Sequence, residues 1–326
     1  MKIFISNNYS PYVNLVLEEL MIKDEENKED IIYLYQHENA VIIGQNQNAH
    51  KEVKLDVLKE QNIELYRRLS GGGAVYHDKG NVNFSFITKK DERSYEKFLA
   101  PVLEFLKSLG LNAEFKGRND LVINGAKFSG NAQFIYKDRM VHHGTILFDA
   151  NLAKLSQVLN PSKLKMQSKG IESARQRVTN LIDELEDKIS VHEFIFKFAD
   201  FLAQKYDGSI QAIDKKYYDQ VDELKAFRMS DEWLYGKNPE FSFFNELKTN
   251  GGILQISANI VKNRIENIAF EGDFLSKTSL VEIENKIKGT EYLKEKIKEK
   301  LETIENLSEY FGNITVDEIL LVMFGD

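Results

Sequence analysis

Cysteine is absent from this chain of 326 residues, and its absence excludes several kinds of chemistry. Without thiols there is no disulfide framework, no zinc site built on thiolates and no cysteine nucleophile that would carry an acyl group as a thioester. A protein of this composition that handles acyl groups must therefore activate them in another way.

Long apolar runs are also missing. The longest clear one, residues 319–324, has six residues, whereas a helix needs roughly 20 to span a bilayer. Near the N-terminus, Asn7, Asn8 and Ser10 interrupt what would have to be the apolar part of a secretory signal. We therefore expect a soluble, cytoplasmic protein with no membrane partner.

Positive charge is in deficit, with 43 Lys and Arg against 51 Asp and Glu, which gives a formal net charge of −8. A general nucleic-acid binder needs the opposite balance, because it neutralises phosphates. We therefore expect no nucleic-acid partner. Hydrophobic residues make up 42% of the chain, which at this length suits one large domain and a smaller one.

One segment nevertheless concentrates groups that bind anions. It reads Arg67-Arg68-Leu69-Ser70-Gly71-Gly72-Gly73-Ala74-Val75-Tyr76. Because glycine has no Cβ atom, the backbone N–H groups of residues 71–73 can approach a ligand, and arginine grips phosphate or carboxylate in a bidentate way. A plain loop between strands would carry the same glycines. Taken alone, the segment leaves both readings open.

The three glycines at residues 71–73, called the glycine segment below, match neither a Walker loop nor a dinucleotide fingerprint. They are contiguous, and no helix is expected after them. Residues 81–87 follow instead, with the alternation typical of a strand. The polar face of this strand would consist of Asn81, Asn83 and Ser85, and the apolar face of Val82, Phe84 and Phe86. We therefore expect a ligand to lie across the polar face of a sheet.

Turn residues and apolar periodicity predict the remaining elements. Helices are expected over residues 10–21, 55–60 and 94–109, and strands over 31–36, 40–43, 63–67, 120–123, 126–136 and 140–148. This mixture is typical of an α+β domain with a largely antiparallel sheet. A hairpin over residues 253–270 and Glu/Lys-rich helices follow, so we predict a large domain over 1–248 and a small α+β domain over 249–326.

Lys127 and Asp120, two charged residues in the large domain, each have two possible interpretations. Lys127 follows an Asn-Gly turn, so it is either an exposed lysine on an edge strand or a point charge delivered to an oxyanion or phosphate. Asp120 is either a turn residue or a carboxylate that orients an amine or holds Mg²⁺. The spacing alone does not choose between them.

The histidines do not predict a metal centre. His142 and His143 are adjacent on a predicted strand, so they point to opposite faces and cannot share one metal in the usual way. At most one of them would reach the binding surface. The other histidines, His37, His50, His77 and His192, are scattered and predict no catalytic triad.

A basic stretch over residues 163–177 contains one acidic residue. The basic residues are Lys163, Lys165, Lys169, Arg175 and Arg177, and the acidic residue is Glu172. It is either a solvated surface or a mobile lid that orders when a polyphosphate or adenylate binds.

Together, these motifs closely resemble those of the lipoate-protein ligases. They are Arg-Arg-x-Ser-Gly-Gly-Gly-Ala-Val from Arg67, His77-Asp78-x-Gly80-Asn81, Gly-Arg-Asn-Asp-Leu-Val from Gly117, Lys127-x-Ser129-Gly130, His142-His143-Gly144-Thr145 and Arg177-Val178-Thr179-Asn180-Leu181. Their order and spacing agree across the large domain. The resemblance implies the α+β catalytic domain shared by biotin and lipoate ligases, with a small C-terminal accessory domain.

The resemblance also implies a two-step reaction that needs no cysteine. Lipoate and ATP give lipoyl-AMP and pyrophosphate, and a lysine amine of a lipoyl-domain acceptor then attacks the mixed anhydride to form an amide. ATP and Mg²⁺ are the implied cofactors. The implied acceptors are the glycine cleavage H protein or the E2 subunits of 2-oxoacid dehydrogenases.

Matched by position, the resemblance implies a role for each candidate residue. Adenylate contacts fall on Arg68, Ser70, Gly72, Gly73, Ala74, Val75, Tyr76 and Asn81. Lys127 would touch the acyl carbonyl and the phosphate and stabilise charge growing on their oxygens. Asp120 would hold Mg²⁺ or steer the incoming amine, and His143 would lie near the lipoyl chain.

One position departs from the family pattern, and two other functions compete with the ligase. Gln45 stands where many members carry a basic residue, which bears on substrate preference or partner docking. A lipoyl or octanoyl transferase would use the same fold but take its acyl group from a protein; its cysteine-dependent forms are excluded. A non-catalytic lipoyl-binding protein would be expected to lack Lys127 or the glycine segment, and both are present.

Overall fold

The computed structural model describes residues 1–90, 95–160, 178–235 and 243–325. The predicted basic lid, residues 163–177, lies outside these ranges. The strands are β1 Lys2–Ile5, β2 Ile31–Gln36, β3 Ala40–Ile43, β4 Glu64–Arg67, β5 Val75–His77, β6 Asn81–Lys89, β7 Ala113–Lys116, β8 Asp120–Ile123, β9 Ala126–Tyr136, β10 Arg139–Leu147, β11 Ser209–Gln211, β12 Phe243–Thr249, β13 Gly252–Val261 and β14 Arg264–Gly272.

Helices cover the sheets and connect many of the strands. They are Pro11–Lys23, Ala49–Glu52, Leu55–Glu60, Tyr95–Ser108, Leu152–Val158, Leu181–Glu184, Val191–Tyr206, Lys215–Arg228, Asp231–Tyr235, Val281–Ile287, Lys294–Glu302, Leu307–Phe311 and Val316–Phe324. Among the described residues, we find no helix with the length and apolar character needed to cross a membrane.

An eight-stranded sheet forms the centre of the large domain, in the order β11-β1-β2-β6-β10-β9-β8-β7. Strand β1 pairs in parallel with β11 and β2, and the other neighbours pair antiparallel. A smaller sheet, β4-β3-β5, belongs to the same domain. The expected α+β class with a mainly antiparallel large sheet is therefore confirmed.

Strand β6 separates its two faces as its alternation predicts. Val82, Phe84 and Phe86 belong to an apolar core that also contains Phe98 and Phe198, from the helices Tyr95–Ser108 and Val191–Tyr206. The opposite face of the sheet lies under the helix Pro11–Lys23. One face of the sheet is thus sealed by aromatic packing, and polar groups are left for the other.

The helix Pro11–Lys23 begins as predicted, with Ser10 as N-cap and proline at its first position. The prediction that it buries Val16 and Leu17 is confirmed, but Val13 and Leu20 are only partly buried. Glu18 is buried instead, at 2% exposure. The helix lies over the polar side of the sheet, so polar side chains of both elements meet there.

The C-terminal sheet, β12-β13-β14, packs against the helices that follow it. The predicted hairpin is confirmed, since β13 and β14 pair antiparallel. This sheet also includes β12, which pairs with β13 and has six of its seven residues before the predicted boundary at residue 249. The division into residues 1–248 and 249–326 stays a prediction.

Two phenylalanines on the helix Val191–Tyr206 provide a matched test of this packing. Phe198 is fully buried and stacks on Phe105 with ring centroids 4.8 Å apart, whereas Phe196 is 40% exposed. We expect Phe198→Ala to lower the free energy of unfolding by about 3–5 kcal/mol. Phe196→Ala should cost about 1 kcal/mol or less. Urea unfolding followed by circular dichroism measures both, and equal losses would contradict the packing described.

Candidate active site

A cleft with a volume of about 150 Å³ lies on the polar face of the central sheet. Asn83 of β6 pairs with Tyr35 of β2 on one side and with Thr145 of β10 on the other, and all three line the cleft. The cleft thus runs across the strands, as expected for the ligand. The predicted residues among its walls are Arg68, Gly72, Gly73, Ala74, Val75, Lys127 and His143.

Four other predicted residues do not line the cleft themselves, and Tyr76 packs away from it in an apolar cluster with Val41 and Ile43. Ser70 and Asn81 are fully buried. The Asn81 side chain donates to Asn83 Oδ1 over 3.1 Å, and the Tyr76 hydroxyl donates to Asn39 Oδ1 over 3.0 Å. Asp120 reaches the cleft through its contact with Lys127.

Lys127 and Asp120 form an ion pair with 2.6 Å between Nζ and Oδ1. Both side chains are partly exposed, at 28% and 21%. The backbone at Lys127 pairs with Val122 of β8 on one side and with Val178 on the other, so the interpretation of Lys127 as an edge-strand lysine is wrong. A Cβ atom on Gly130 would stand 3.1 Å from Nζ, so the glycine leaves room for the ammonium. Asp120 therefore holds a positive charge at the wall of the cleft.

Arg68 holds the glycine segment in shape. Its Nη2 donates to the carbonyls of Gly71 and Gly73 over 2.7 and 2.9 Å, and its Nε donates to Ser70 Oγ over 3.1 Å. Burial lowers the pKa of Arg68 to about 10, which still leaves it charged at neutral pH. Its positive charge therefore stands beside the cleft, while several of its N–H groups are used within the protein.

Arg67 does not face the ligand site. Its guanidinium donates to backbone carbonyls of two neighbouring segments. The acceptors are Gly44, Gln45, Gln47, Trp233 and Leu234, at 2.6–3.0 Å. The two arginines of the sequence motif thus have different places. Arg67 is buried and connects two backbone segments, whereas Arg68 lines the cleft.

Two of the three glycine amides are engaged by the C-terminal domain. The N–H of Gly71 donates to the carbonyl of Ser276, and that of Gly72 to the carbonyl of Phe274, each over 3.0 Å. This differs from the expectation that all three amides are open to a ligand. Among residues 71–73, it is at Gly73 that an added Cβ atom would have no atom of the described residues within 4 Å. Of these three glycines, Gly73 therefore borders the open part of the cleft.

Gln45, which departs from the family pattern, also lies against the glycine segment. Its backbone N–H donates to the Ser70 carbonyl over 2.8 Å. Its side-chain Oε1 is buried without a hydrogen-bond partner among the described residues. Its place is therefore behind the segment that borders the cleft.

A buried chain of hydrogen bonds fixes His143. Its Nε2 lies 2.6 Å from Ser70 Oγ, and its Nδ1 lies 3.0 Å from Glu18 Oε1. Glu18 also accepts hydrogen bonds from Ser85 and, over 3.5 Å, from Tyr35. The order serine, histidine and carboxylate is that of a hydrolase triad. The chain did not emerge from the sequence because its members are far apart along it.

Ser70 is nevertheless placed poorly for nucleophilic attack. It is fully buried, and its Oγ accepts a hydrogen bond from Arg68, which draws electron density from the hydroxyl. A serine nucleophile instead needs an exposed Oγ beside the scissile carbonyl. The hydrogen-bond chain therefore orients the His143 ring at the cleft wall.

The structure brings together two histidines that are scattered in the sequence. The Nδ1 atoms of His37 and His77 lie 3.0 Å apart, and both rings line the cleft. Burial lowers the pKa of His37 to about 3 and that of His77 well below its usual value. Arg68 contributes to the shift at His77. Both rings are therefore neutral at physiological pH.

The residues fit a magnesium ion only together with a substrate. Within the described ranges, no three His, Asp or Glu side chains cluster closely enough to hold a metal by themselves. Magnesium is usually bound through one or two carboxylates plus substrate phosphates and waters. Asp120 and the phosphates of a bound nucleotide would supply that donor set.

The neutral state of the His37–His77 pair is directly measurable. In the folded chain, ¹⁵N-edited NMR should show both rings neutral from pH 8 to pH 5. In urea, the same rings should titrate near 6.5. The unfolded chain then binds more protons, so these groups lower the free energy of unfolding as the pH falls from about 6.5 towards 3. A folded-state titration near 6.5 would contradict the buried pair.

Two family models match the chain. The lipoyl protein ligase A/B catalytic domain matches residues 10–203, and the bacterial lipoate protein ligase C-terminus matches residues 238–323.

Curated relatives match along nearly the whole chain. Lipoate-protein ligase LplJ of Bacillus subtilis (strain 168) is 37% identical, over 99% of this chain and 100% of its own length. Lipoate–protein ligase 1 of Staphylococcus aureus (strain Mu50) is 36% identical, over 98% and 99% of the two chains.

Solved structures share the fold. LipL1 of P. falciparum in complex with lipoate has a TM-score of 0.83 at 25% identity and covers 100% of both chains. A lipoate-protein ligase A bound with ATP has a TM-score of 0.63 at 26% identity, over 72% of this chain and 98% of its own. These matches agree with the motifs gathered around the cleft, and the chain belongs to the lipoate-protein ligase family of enzymes.

Proposed function

We propose that this cleft carries out both half-reactions of an ATP-dependent lipoate-protein ligase. The observation that carries the assignment of residues is the Lys127 ammonium, held by Asp120 at the wall of a cleft that Arg68 and Gly73 also line. The carboxylate of lipoate and the phosphates of ATP can both approach this positive charge. The reaction then needs no nucleophile from the enzyme.

In the first half-reaction, a lipoate carboxylate oxygen attacks the α-phosphorus of ATP. The bond from that phosphorus to the bridging oxygen breaks, and pyrophosphate leaves with the electron pair. Negative charge grows on the phosphoryl oxygens, where the Lys127 ammonium stabilises it. Arg68 acts mainly by positioning the glycine segment, since its N–H groups bond Ser70, Gly71 and Gly73.

In the second half-reaction, the neutral amine of an acceptor lysine attacks the acyl carbonyl of lipoyl-AMP. The carbonyl oxygen becomes an oxyanion, which Lys127 stabilises. The C–O bond to AMP then breaks, AMP leaves with the electron pair, and the attacking nitrogen loses a proton to solvent to give the amide. Asp120 stands beside Lys127 and is our candidate for orienting the incoming amine. A carboxylate at this place accepts an N–H hydrogen bond and so directs the nitrogen lone pair at the carbonyl carbon.

Mg²⁺ would be held by Asp120 together with the phosphates of ATP, and there it would neutralise phosphate charge. The lipoyl chain would lie along the apolar cleft residues Leu15, Ile42 and Val75, with His143 beside it. The Glu18 and Ser70 contacts keep the His143 ring from turning.

The second substrate would be a lipoyl domain of another protein. A solved structure with a TM-score of 0.63 and 28% identity is described as a bipartite lipoate protein ligase of Thermoplasma acidophilum and its E2 lipoyl domain. This supports a lipoyl-domain acceptor for the present chain, such as the glycine cleavage H protein or an E2 subunit. Modification of each apo-protein, followed by mass spectrometry, would identify the acceptor.

Pyrophosphate release tests the overall reaction. We expect release that requires both ATP and lipoate, and lipoylation of an apo lipoyl domain that requires all three substrates. A lipoyl or octanoyl transferase would modify the acceptor from an acylated protein without ATP. Failure to form either lipoyl-AMP or a lipoylated acceptor, with magnesium and a competent acceptor present, would refute the proposed function.

Lys127→Ala should reduce adenylate formation by about 100-fold or more, because a preorganised positive charge is removed from the developing oxyanion. Single-turnover formation of lipoyl-AMP is the measurement. Lys197→Ala is the matched control and should keep near-normal rates, because Lys197 also pairs with a carboxylate, Glu193, but is 49% exposed on the helix that covers the opposite face of the sheet. A normal rate in Lys127→Ala would show that its assigned role is wrong.

Gly73→Val should impair substrate binding without unfolding the protein, because its side chain enters open space in the cleft. We expect a loss of about 1–3 kcal/mol in ATP or lipoate binding, measured by calorimetry.

Gly71→Ala is the informative comparison. Its methyl group would lie 2.5 Å from the Ser276 nitrogen, so it should lower the melting temperature. Unchanged substrate binding in a folded Gly73→Val variant would place the ligand elsewhere.

A further inference from the structure

The His37–His77 pair has no role in the reaction described above, yet it forms part of the same cleft. Its rings are 1% and 4% exposed. The contact between the two Nδ1 atoms joins the end of β2 to β5, two segments that belong to different sheets. Two histidines buried without a carboxylate partner are costly unless their ring nitrogens are used.

The tautomers of the pair follow from the Nδ1 contact. One Nδ1 must carry the proton and the other must accept it, since two lone pairs 3.0 Å apart would repel. Each neutral ring carries one proton on nitrogen. The ring that donates from Nδ1 therefore has an unprotonated Nε2, and the ring that accepts at Nδ1 has its proton on Nε2. Both Nε2 atoms are buried without a hydrogen-bond partner among the described residues. The pair therefore offers one unused donor and one unused acceptor.

The pair lies at the end of the cleft opposite the Lys127–Asp120 ion pair. His37 follows β2, and Lys127 lies on β9, three strands away in the order β2-β6-β10-β9. Three strand spacings of about 4.8 Å place these ends about 14 Å apart. The apolar residues Leu15, Ile42 and Val75 also line the cleft. An acid whose carboxylate meets Lys127 therefore directs its far end towards the histidines.

The far end of lipoate is a dithiolane ring. Its sulfur atoms are polarizable and accept weak hydrogen bonds, as thioether sulfur does. A saturated straight chain of similar length has no acceptor there, so it would leave the buried Nε2–H unsatisfied.

We propose that the His37–His77 pair is a specificity element that donates from Nε2–H to a dithiolane sulfur and so favours lipoate over octanoate. This inference rests on the proposed function, which supplies the direction of the acid in the cleft. The pair acts on binding and selection of the acid, so its variants should change relative affinity more than the chemical step.

Calorimetric binding of lipoate and octanoate to the unmodified chain and its variants tests the inference. The quantity measured is the ratio of the octanoate Kd to the lipoate Kd. We expect His37→Phe and His77→Phe each to lower this ratio about three- to tenfold, the size of one hydrogen bond. His37→Gln, which places an amide near the former Nε2, should keep it within about twofold.

Val75→Ala is the control for cleft shape. It removes apolar contact from both acids and should weaken both alike, so that their ratio is kept. Unchanged ratios in both phenylalanine variants would overturn the inference.

A second readout uses the unmodified protein and does not depend on the folding of any variant. Lipoate should shift the ¹⁵N resonance of an Nε2 of the pair, and octanoate should leave it in place. Equal shifts with both acids would overturn the inference.

Pyrophosphate release distinguishes this inference from the proposed function. Selective lipoate binding without ATP-dependent pyrophosphate release would refute the ligase reaction and leave the specificity element standing. Pyrophosphate release with both acids, together with a ratio of dissociation constants that the histidine variants leave unchanged, would support the ligase reaction and refute the specificity element.

Discussion

The buried guanidinium of Arg67 is the interaction on which the rest of the site depends. It donates to carbonyls in residues 44–47 and to those of Trp233 and Leu234, so it ties together two segments that are remote in sequence. A buried charge is tolerated only when its hydrogen bonds are satisfied, and here backbone dipoles satisfy it. Arg68 and the glycine segment begin directly at this anchor.

Each of the three contiguous glycines has a different structural environment. At Gly71, a side chain would collide with the backbone of Ser276. At Gly72, the backbone has a φ of 93°, which side-chain-bearing residues rarely adopt. At Gly73, no atom of the described residues lies within 4 Å of where a side chain would begin, and the residue lines the cleft. One motif therefore joins the two domains, makes a turn and borders the substrate site.

The sequence predicted five strands of the large sheet, β2, β6, β8, β9 and β10, but not the short strands β1, β7 and β11. The faces of β6 were assigned correctly from Val82, Phe84 and Phe86 alone, since the core needs every second side chain to be apolar. The burial of the helix Pro11–Lys23 was predicted less well. Glu18 is buried there by contacts with His143 and Ser85, and neither contact could be seen from helical periodicity.

The parts of the site that sequence reasoning missed are contacts between remote segments. His37 and His77 are separated by 40 residues, and Glu18 and His143 by 125. Local spacing carries no information on such pairs, because β2, β5 and β10 are brought together only by sheet topology. The engagement of Gly71 and Gly72 by residues 274 and 276 was missed for the same reason.

Charge is distributed unevenly along the cleft, and this bears on its chemistry. Lys127 and Arg68 supply positive charge where carboxylate and phosphate would meet, while His37 and His77 remain neutral because burial penalises their protonated forms. A protonated pair at the far end would compete for the carboxylate and allow the acid to bind reversed. In the ligase that we propose, neutral rings beside apolar walls would remove that competition, so burial of the histidines would help to set the direction in which an acid enters.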